Sequence, residues 1–240
     1  MGSLGDRMKG NYEDRDRHYL MRRTPVIVRV DGRAFHSWTR GLERPFDQRI
    51  IDTMVSASRA VAEDMQGCKA VYVQSDEASF LLTDFDKLTT EAWFNYNQSK
   101  VESISAALMT AWFNLWWPWP TGIGRDTPAI FDARAFNVPL AEVSNYFLWR
   151  MKDWERNSVS MYCQAHFSHK QLHGKQRSDQ HELLHSIGKN WATDLSPQIR
   201  NGTLLVRGLE GKYEHRSDVQ PTWPEVDAVI APLLIVPPSE

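Results

Sequence analysis

Val26-Ile-Val-Arg-Val-Asp-Gly-Arg-Ala-Phe-His36 decides how the rest of the chain is read. Val26, Ile27, Val28 and Val30 are β-branched, the composition of a strand buried on at least one face. Asp31 ends that run and Gly32 follows it. A carboxylate at a strand end, beside a glycine whose carbonyl can be approached closely, is a good place to hold a hard cation. One carboxylate holds a metal weakly, so a partner is needed. It is found in Val71-Tyr-Val-Gln-Ser-Asp-Glu-Ala-Ser-Phe-Leu-Leu82, where two β-rich runs flank Ser75, Asp76 and Glu77. This pattern predicts a hairpin with acids at its tip. If the two strands are neighbours, Asp31 and Asp76 meet at one edge of a sheet. Two aspartates sharing a pair of Mg2+ ions is the arrangement that two-metal phosphoryl chemistry requires.

The flanking sequence supplies the rest of the domain. Residues 1–23 are polar and arginine-rich and predict a short helix or an arm. Residues 39–45 predict a loop. Asp47 reads as the N-cap of a helix to about Gln66, with Ile50, Ile51, Met54, Val55, Ala57 and Val61 near helical spacing and Gly67 closing it. Residues 91–116 predict a second helix, ended by Pro118 and Pro120. Gly122-Ile-Gly124 then reads as a turn. Ile130 to Arg134 predict a strand leading into a loop. The resulting β-α-β-β-α-β order is the split unit of a ferredoxin-like or palm-like domain. From about Leu140 the pattern turns helical, with segments at 145–164 and 179–187, the latter ended by Gly188. A short strand at 203–207 and a proline-rich tail follow. The expectation is an α+β chain. A palm-like, ferredoxin-like antiparallel sheet with helices occupies 1–139, and a mostly helical, RNA-contacting region with short strands occupies 140–240.

Composition narrows the class. The chain has 240 residues, 42% hydrophobic and 24% charged, which suits a soluble globular protein. No apolar run approaches the roughly 20 residues of a membrane span, and no amino-terminal signal pattern is present. The expected compartment is the cytoplasm, with no membrane partner. Cys68 and Cys163 have no metal-ligand spacing and suggest no disulfide framework. The net charge of −2 argues mildly against a nucleic-acid binder. The charge is uneven, however. Residues 1–49 hold eleven Lys/Arg against seven Asp/Glu, and residues 150–177 hold six against two, with three histidines. Such patches are compatible with RNA and equally with solvated faces. Trp112 to Trp119 read as core or interface before base-stacking platforms.

Other motifs compete. His181-Glu182-Leu183-Leu184-His185 matches the H-E-x-x-H zinc signature, with both histidines on one helical face. Gly188 fits the longer metalloprotease pattern, but its third histidine would fall at Trp191, and indole does not ligate zinc. The bland alternative is a helix with leucines in the core and solvated histidines. His166, His169 and His173 share only partly overlapping helical faces. No phosphate-cradling G-x-x-x-x-G-K-[ST] loop occurs, and no histidine accompanies Ser75 in a nucleophile elbow.

Taken in order, Gly5-Asp-Arg-Met-Lys-x-x-Tyr-Glu13, Arg29-Val-Asp-Gly-Arg-Ala-Phe-His36, Arg44-Pro-Phe-Asp47, Gln74-Ser-Asp-Glu77, Lys100-x-x-Ser103 and Phe131-Asp-Ala-Arg134 closely resemble the histidine-tRNA guanylyltransferase superfamily, the reverse (3′–5′) RNA polymerases. Trp149-Arg150 through Asp153 and Asn157, then Glu182-Leu-Leu and Gly188-Lys-Asn-Trp191, continue the likeness, which spans about residues 4–208. The resemblance implies a palm fold followed by a smaller helical region, assembled as a homotetramer, a dimer of dimers. It implies that Asp31 and Asp76 bind two Mg2+ ions with the Gly32 carbonyl as a further ligand, and that Glu77 assists. It assigns nucleotide and phosphate binding to Lys9, Arg33, Ala34, Phe35, His36, Arg44, Ser75, Lys100 and Ser103. It assigns RNA contact to Arg150, Asn157, Lys175, Arg177, Lys189 and Asn190.

Two positions depart from the family pattern: Arg44, where lysine is more frequent, and Asn97, where an arginine is expected. The subgroup that adds G to histidine tRNA carries a His-Ile-Asn-Asn-Leu-Tyr-Asn stretch. The corresponding Trp154-Glu-Arg-Asn-Ser-Val-Ser160 lacks it, which resembles the "like protein" branch that repairs 5′-truncated tRNA by templated addition. The implied substrates are ATP or GTP, the other nucleoside triphosphates, and a 5′-truncated tRNA or histidine tRNA. A nucleotide cyclase relative, a zinc peptidase and a non-catalytic tRNA-binding protein stand as alternatives.

Overall fold

The computed structural model describes residues 2–118 and 127–235. An exposed helix α1 (Leu4–Asn11) opens the chain, and β1 (Val26–Gly32), α2 (Phe35–Trp38) and α3 (Gln48–Asp64) follow. Next come β2 (Cys68–Gln74), β3 (Glu77–Leu82), α4 (Gln98–Trp116) and β4 (Phe131–Asn137). The remaining helices begin with α5 (Val143–Gln164), α6 (His169–Leu172) and α7 (Arg177–Ser186), continued by α8 (Trp191–Asp194) and α9 (Pro197–Asn201). Then β5 (Thr203–Arg207), β6 (Tyr213–Arg216) and α10 (Trp223–Ile230) complete the fold.

Among the described residues six strands form one antiparallel sheet in the order β4-β1-β3-β2-β5-β6. The first four strands, in the order 4-1-3-2, are the ferredoxin-like unit expected from the sequence. β1 alternates between two cores. Val26, Val28 and Val30 join Val71, Phe80 and Leu82 beneath α3 and α4. Ile27 joins Ala70, Tyr72 and Leu81 on the opposite face, beneath Phe147 and Met151 of α5 and Val226 of α10. A strand covered on both faces reads as a continuous apolar run, which is what Val26 to Val28 show before Arg29. A third cluster, with Val159, Tyr162, Leu184 and Trp191, packs α7 and α8 against the far end of α5.

Local chemistry sets the boundaries. The Asp47 carboxylate accepts from the Arg49 N–H at 3.0 Å and caps α3. The helix expected from residue 91 starts only at Gln98. Phe94 and Asn95 sit in the left-handed region, and the Asn97 side chain accepts from the Lys100 N–H at 3.2 Å as the cap. Residues 131–137 make a full strand instead of a strand start, because they pair with β1 along their whole length; Thr110 and Asn114 of α4 accept from the Phe131 and Ala129 N–H groups at its leading end. The tail read as proline-rich carries β6 and α10. The turn expected at Gly122 to Gly124 lies outside the described residues. Among the described residues no helix is long and apolar enough to cross a membrane.

Candidate active site

β1 and the β2–β3 hairpin bring the acids together. Asp31 pairs across strands with Glu77 on one side and with Asp132 on the other. Paired residues project to one sheet face, so three carboxylates lie in a row. Asp76 occupies the two-residue turn between β2 and β3, and the Gly32 N–H donates to its carbonyl at 3.0 Å. Ser75 has φ 47°, the positive value that hairpin turns matching the strand twist demand. A Cβ on Gly32 would lie 2.9 Å from Asp76 Oδ2 and 2.5 Å from Phe35 Cδ2. Glycine is therefore what lets the Asp76 carboxylate lie over the end of β1.

The electrostatics suit a cation. Burial pushes the Asp76 carboxyl up to about 6, opposed by a Ser75 hydrogen bond and helped by the Asp31 and Glu77 charges. Burial, then the Asp132 charge, also raises Asp31, against Arg29, Arg134 and Arg150. Two carboxyls that resist ionisation alone become good ligands when a hard divalent ion shares them. Gly32 follows Asp31 and has no side chain of its own, so its carbonyl would be a further ligand. These residues fit Mg2+. Among the described residues no three His, Cys, Asp or Glu side chains gather to hold a metal. An ion at Asp31 and Asp76 would therefore draw its other oxygens from backbone, phosphate and water. The same finding leaves His181 and His185 without a third ligand, and the His181 ring packs on Trp191, 6.0 Å between centroids.

Glu77 is committed elsewhere. Arg150 Nε and Nη2 donate to its two carboxylate oxygens at 2.8 and 2.7 Å. Both side chains are about nine-tenths buried. Arg150, expected to face RNA, thus ties α5 to the hairpin, and its guanidinium also stacks over Trp149.

A cavity of about 420 Å³ opens beside the acids. Asp76, Ser75 and His36 stand on one side of it, Arg44 and Phe46 on another, and Trp154 of α5 closes it. Its size suits a nucleobase and its apolar walls suit stacking. Asp31, Gly32, Phe35, His36, Arg44, Ser75, Asp76 and Glu77 are therefore gathered in one place. Ala34 is left-handed (φ 51°) and starts α2, and the Arg33 N–H donates to the Ile130 carbonyl at 2.8 Å.

The other assigned residues are not gathered there. Lys9 lies on α1, which buries none of its residues. Lys100 and Ser103 are exposed on the first turns of α4, where Gln98 and Glu102 bond Ala135. Ala135 is three residues along β4 from Asp132, about 10 Å. Asn157, Lys175 and Lys189 are exposed, Arg177 is paired with Glu155, and Asn190 caps α8. Sequence reasoning missed Arg29 and Asp132, which share the face of Asp31. The Arg29 Nε is buried with no hydrogen-bond partner among the described residues. Its position two residues before Asp31 was the available signal, since strand side chains alternate.

Comparison with known proteins follows the same residues. The family model described as tRNAHis guanylyltransferase (Thg1) matches residues 5–139. A tRNA(His) guanylyltransferase of Schizosaccharomyces pombe is 28% identical over 222 residues, 86% of this chain and 82% of that protein. The solved structure of a bacterial tRNA(His) guanylyltransferase-like protein in complex with ATP is 38% identical, with TM-score 0.88 over 97% of this chain and 99% of that one. A GTP complex of a bacterial protein of the same description is 33% identical, with TM-score 0.80 over the same shares.

Proposed function

Since the chain belongs to the tRNAHis guanylyltransferase family, we propose that it extends the 5′ end of tRNA in the 3′–5′ direction, copying the opposite strand, and so repairs 5′-truncated tRNA. It is a nucleotidyltransferase. The observation that carries the nucleotidyl-transfer reading is the close approach of Asp76 to Gly32, at the end of β1 that bears Asp31 and next to a nucleobase-sized cavity. The missing His-Ile-Asn-Asn-Leu-Tyr-Asn stretch and the likeness to bacterial guanylyltransferase-like proteins favour templated repair. Addition of a single G to histidine tRNA is the second reading, favoured by the activity named for the fungal relative.

The reaction needs two phosphoryl transfers. The RNA 5′-phosphate attacks the α-phosphate of ATP or GTP, a P–O bond forms, and pyrophosphate leaves. The 3′-hydroxyl of the incoming nucleotide then attacks the activated 5′-phosphate, gives up its proton, and releases the nucleoside monophosphate. Asp31, Asp76 and the Gly32 carbonyl would hold two Mg2+ ions, which when bound supply charge neutralisation and a lowered hydroxyl pKa. The chain itself positions the reactants. The cavity seats the base of the activating nucleotide against Phe46 and Trp154, while His36, Arg44 and Ser75 line the path of its phosphates. Arg29 and Arg134 add positive charge on the Asp31 face. Such work is positioning and electrostatic stabilisation. We assign catalysis to residues 1–139, RNA contact to residues 140–240 through exposed Asn157, Lys175 and Lys189, a homotetrameric assembly, and action on cytoplasmic tRNA.

The test is to supply Mg2+, ATP, all four nucleoside triphosphates and a 5′-monophosphorylated tRNA lacking its first nucleotide. Growth by one residue complementary to the opposite base is expected. Growth by G alone, whatever the opposite base, would replace templated repair with the second reading.

A further inference from the structure

Trp149 stands near the carboxylates and takes no part in the apolar core. Strand side chains alternate, so Ile27, Arg29 and Asp31 share the sheet face that α5 covers. Along α5, Tyr146 hydrogen-bonds Ser79, the cross-strand partner of Arg29, at 2.9 Å. One turn later Arg150 grips Glu77, the cross-strand partner of Asp31. Trp149 lies between these two anchors in the sequence. Its ring is 5.8 Å from that of Tyr146, and the Arg150 guanidinium sits over it at 4.6 Å. Both contacts are with its own helix. It belongs to none of the three apolar clusters and is 53% exposed.

The neighbouring charges suit a polyanion. Arg29 Nε is buried with no hydrogen-bond partner among the described residues. Arg134, its cross-strand neighbour on β4, is exposed. The cavity beside Asp76 is of another kind: Phe46 and Trp154 wall it, and Trp149 lies outside it. The carboxylates therefore border two different surfaces, one an apolar cavity and the other an open indole flanked by arginines.

We propose that Trp149 is the platform on which the terminal base pair at the 5′ end of the RNA stacks. A helix end is flat and apolar, with a strand leaving at each edge. It needs an open surface, whereas a free nucleotide suits a pocket. Every base offers a π-face, so stacking accepts any sequence, as copying of any opposite base requires. Arg150 holds the ring from one side through a cation–π contact, and Glu77 in turn holds Arg150, which leaves the other side of the indole for a base. Arg29 and Arg134 then lie where the backbone phosphate of that nucleotide approaches Asp31. This inference rests on the proposed action at tRNA 5′ ends and names the surface that receives the end.

The probe is a 5′-monophosphorylated RNA hairpin lacking its first nucleotide, with 2-aminopurine in its terminal pair, mixed with the full chain and Mg2+ but no nucleoside triphosphate. The wild type is expected to dim the fluorescence at saturation. Trp149→Ala should bind the hairpin about 5- to 150-fold more weakly, the range for loss of one base–aromatic stack, and should not dim it at saturation. Trp149→Leu, which keeps an apolar side chain without a π-face, should behave as the alanine variant, and Trp149→Phe should restore part of both signals. Trp223→Ala, which removes a comparably exposed indole on α10, should match the wild type. All four variants should keep the wild-type melting temperature. In turnover, Trp149→Ala should raise KM for the RNA and leave KM for the added nucleotide unchanged. Full dimming by Trp149→Ala, or hairpin binding as tight as that of the wild type, overturns the proposal. A rise confined to KM for the added nucleotide also overturns it and gives the platform to the incoming base. Binding and dimming are read without turnover. A wild type that dims the probe through Trp149 but adds no nucleotide keeps the platform and loses the proposed reaction; one that adds nucleotides while Trp149→Ala still dims the probe loses the platform alone.

Discussion

Gly32 and Asp76 are the residues on which the site turns. Gly32→Ala places a methyl 2.5 Å from Phe35 Cδ2 and 2.9 Å from Asp76 Oδ2. Something must move, and overpacking of this kind costs about 1–3 kcal/mol. The expected result is a folded enzyme, less stable by that amount in urea and at least about tenfold slower, since an ångström of displacement is costly in catalysis. Wild-type activity in that variant would show that the contact does not position Asp76. Asp76→Asn should abolish nucleotide addition yet stabilise the protein in EDTA at pH 8. The reasoning is linkage. Burial raises the folded carboxyl to about 6 from an ordinary 3.8, so the stability tied to its neutral form is present below about pH 4 and lost as pH rises through 6. Asparagine keeps the neutral shape. Its melting temperature should match the wild type near pH 4 and exceed it at pH 8, and a lower value at pH 8 would sink this account.

At the scale of elements, the hairpin is held to α5 by Glu77 and Arg150. Removing one member of a buried pair leaves an uncompensated charge, at a cost of about 3–5 kcal/mol, whereas replacing both is far milder. Arg150→Met is expected to lose about that much in urea denaturation, and Glu77→Gln/Arg150→Met to recover most of it. Equal losses in the two variants would mean that the pair is not the tie. This tie was hidden in the sequence. The β-branched run of β1 and the two β-rich runs around Ser75 to Glu77 disclosed the strands and the hairpin. Nothing local tells which of two neighbouring acids, Asp76 or Glu77, meets an arginine 73 positions away. The start of α4 was misplaced for a related reason. Trp93 looked like helical periodicity, but Asn97 supplies the cap, and the turn before it adopts left-handed angles that propensity does not reveal.

For the whole molecule, the ferredoxin-like order was legible because local signals and connection lengths leave few topologies for six alternating elements. The addition of β5 and β6 beside β2 was not, because pairing of Val71 with Leu205 joins residues 134 apart, and no periodicity reports partners so distant. This decides how the chain is divided. The residues we propose for catalysis lie before residue 139, but β2 reaches its outer partner only through residues 203–206. The face carrying Ile27, Ala70, Tyr72 and Leu81 is covered by α5 and α10. A fragment of residues 1–139 would expose that whole face and leave β2 as a bare hydrophobic edge, a template for aggregation. Catalytic and folding units therefore differ. The fragment is expected to bind a hydrophobic dye, lack a cooperative thermal transition and add no nucleotide. The full chain should unfold with fluorescence and circular dichroism transitions that coincide. A fragment that melts cooperatively would show that the first four strands, with α3 and α4 alone, bury enough apolar surface to stand by themselves.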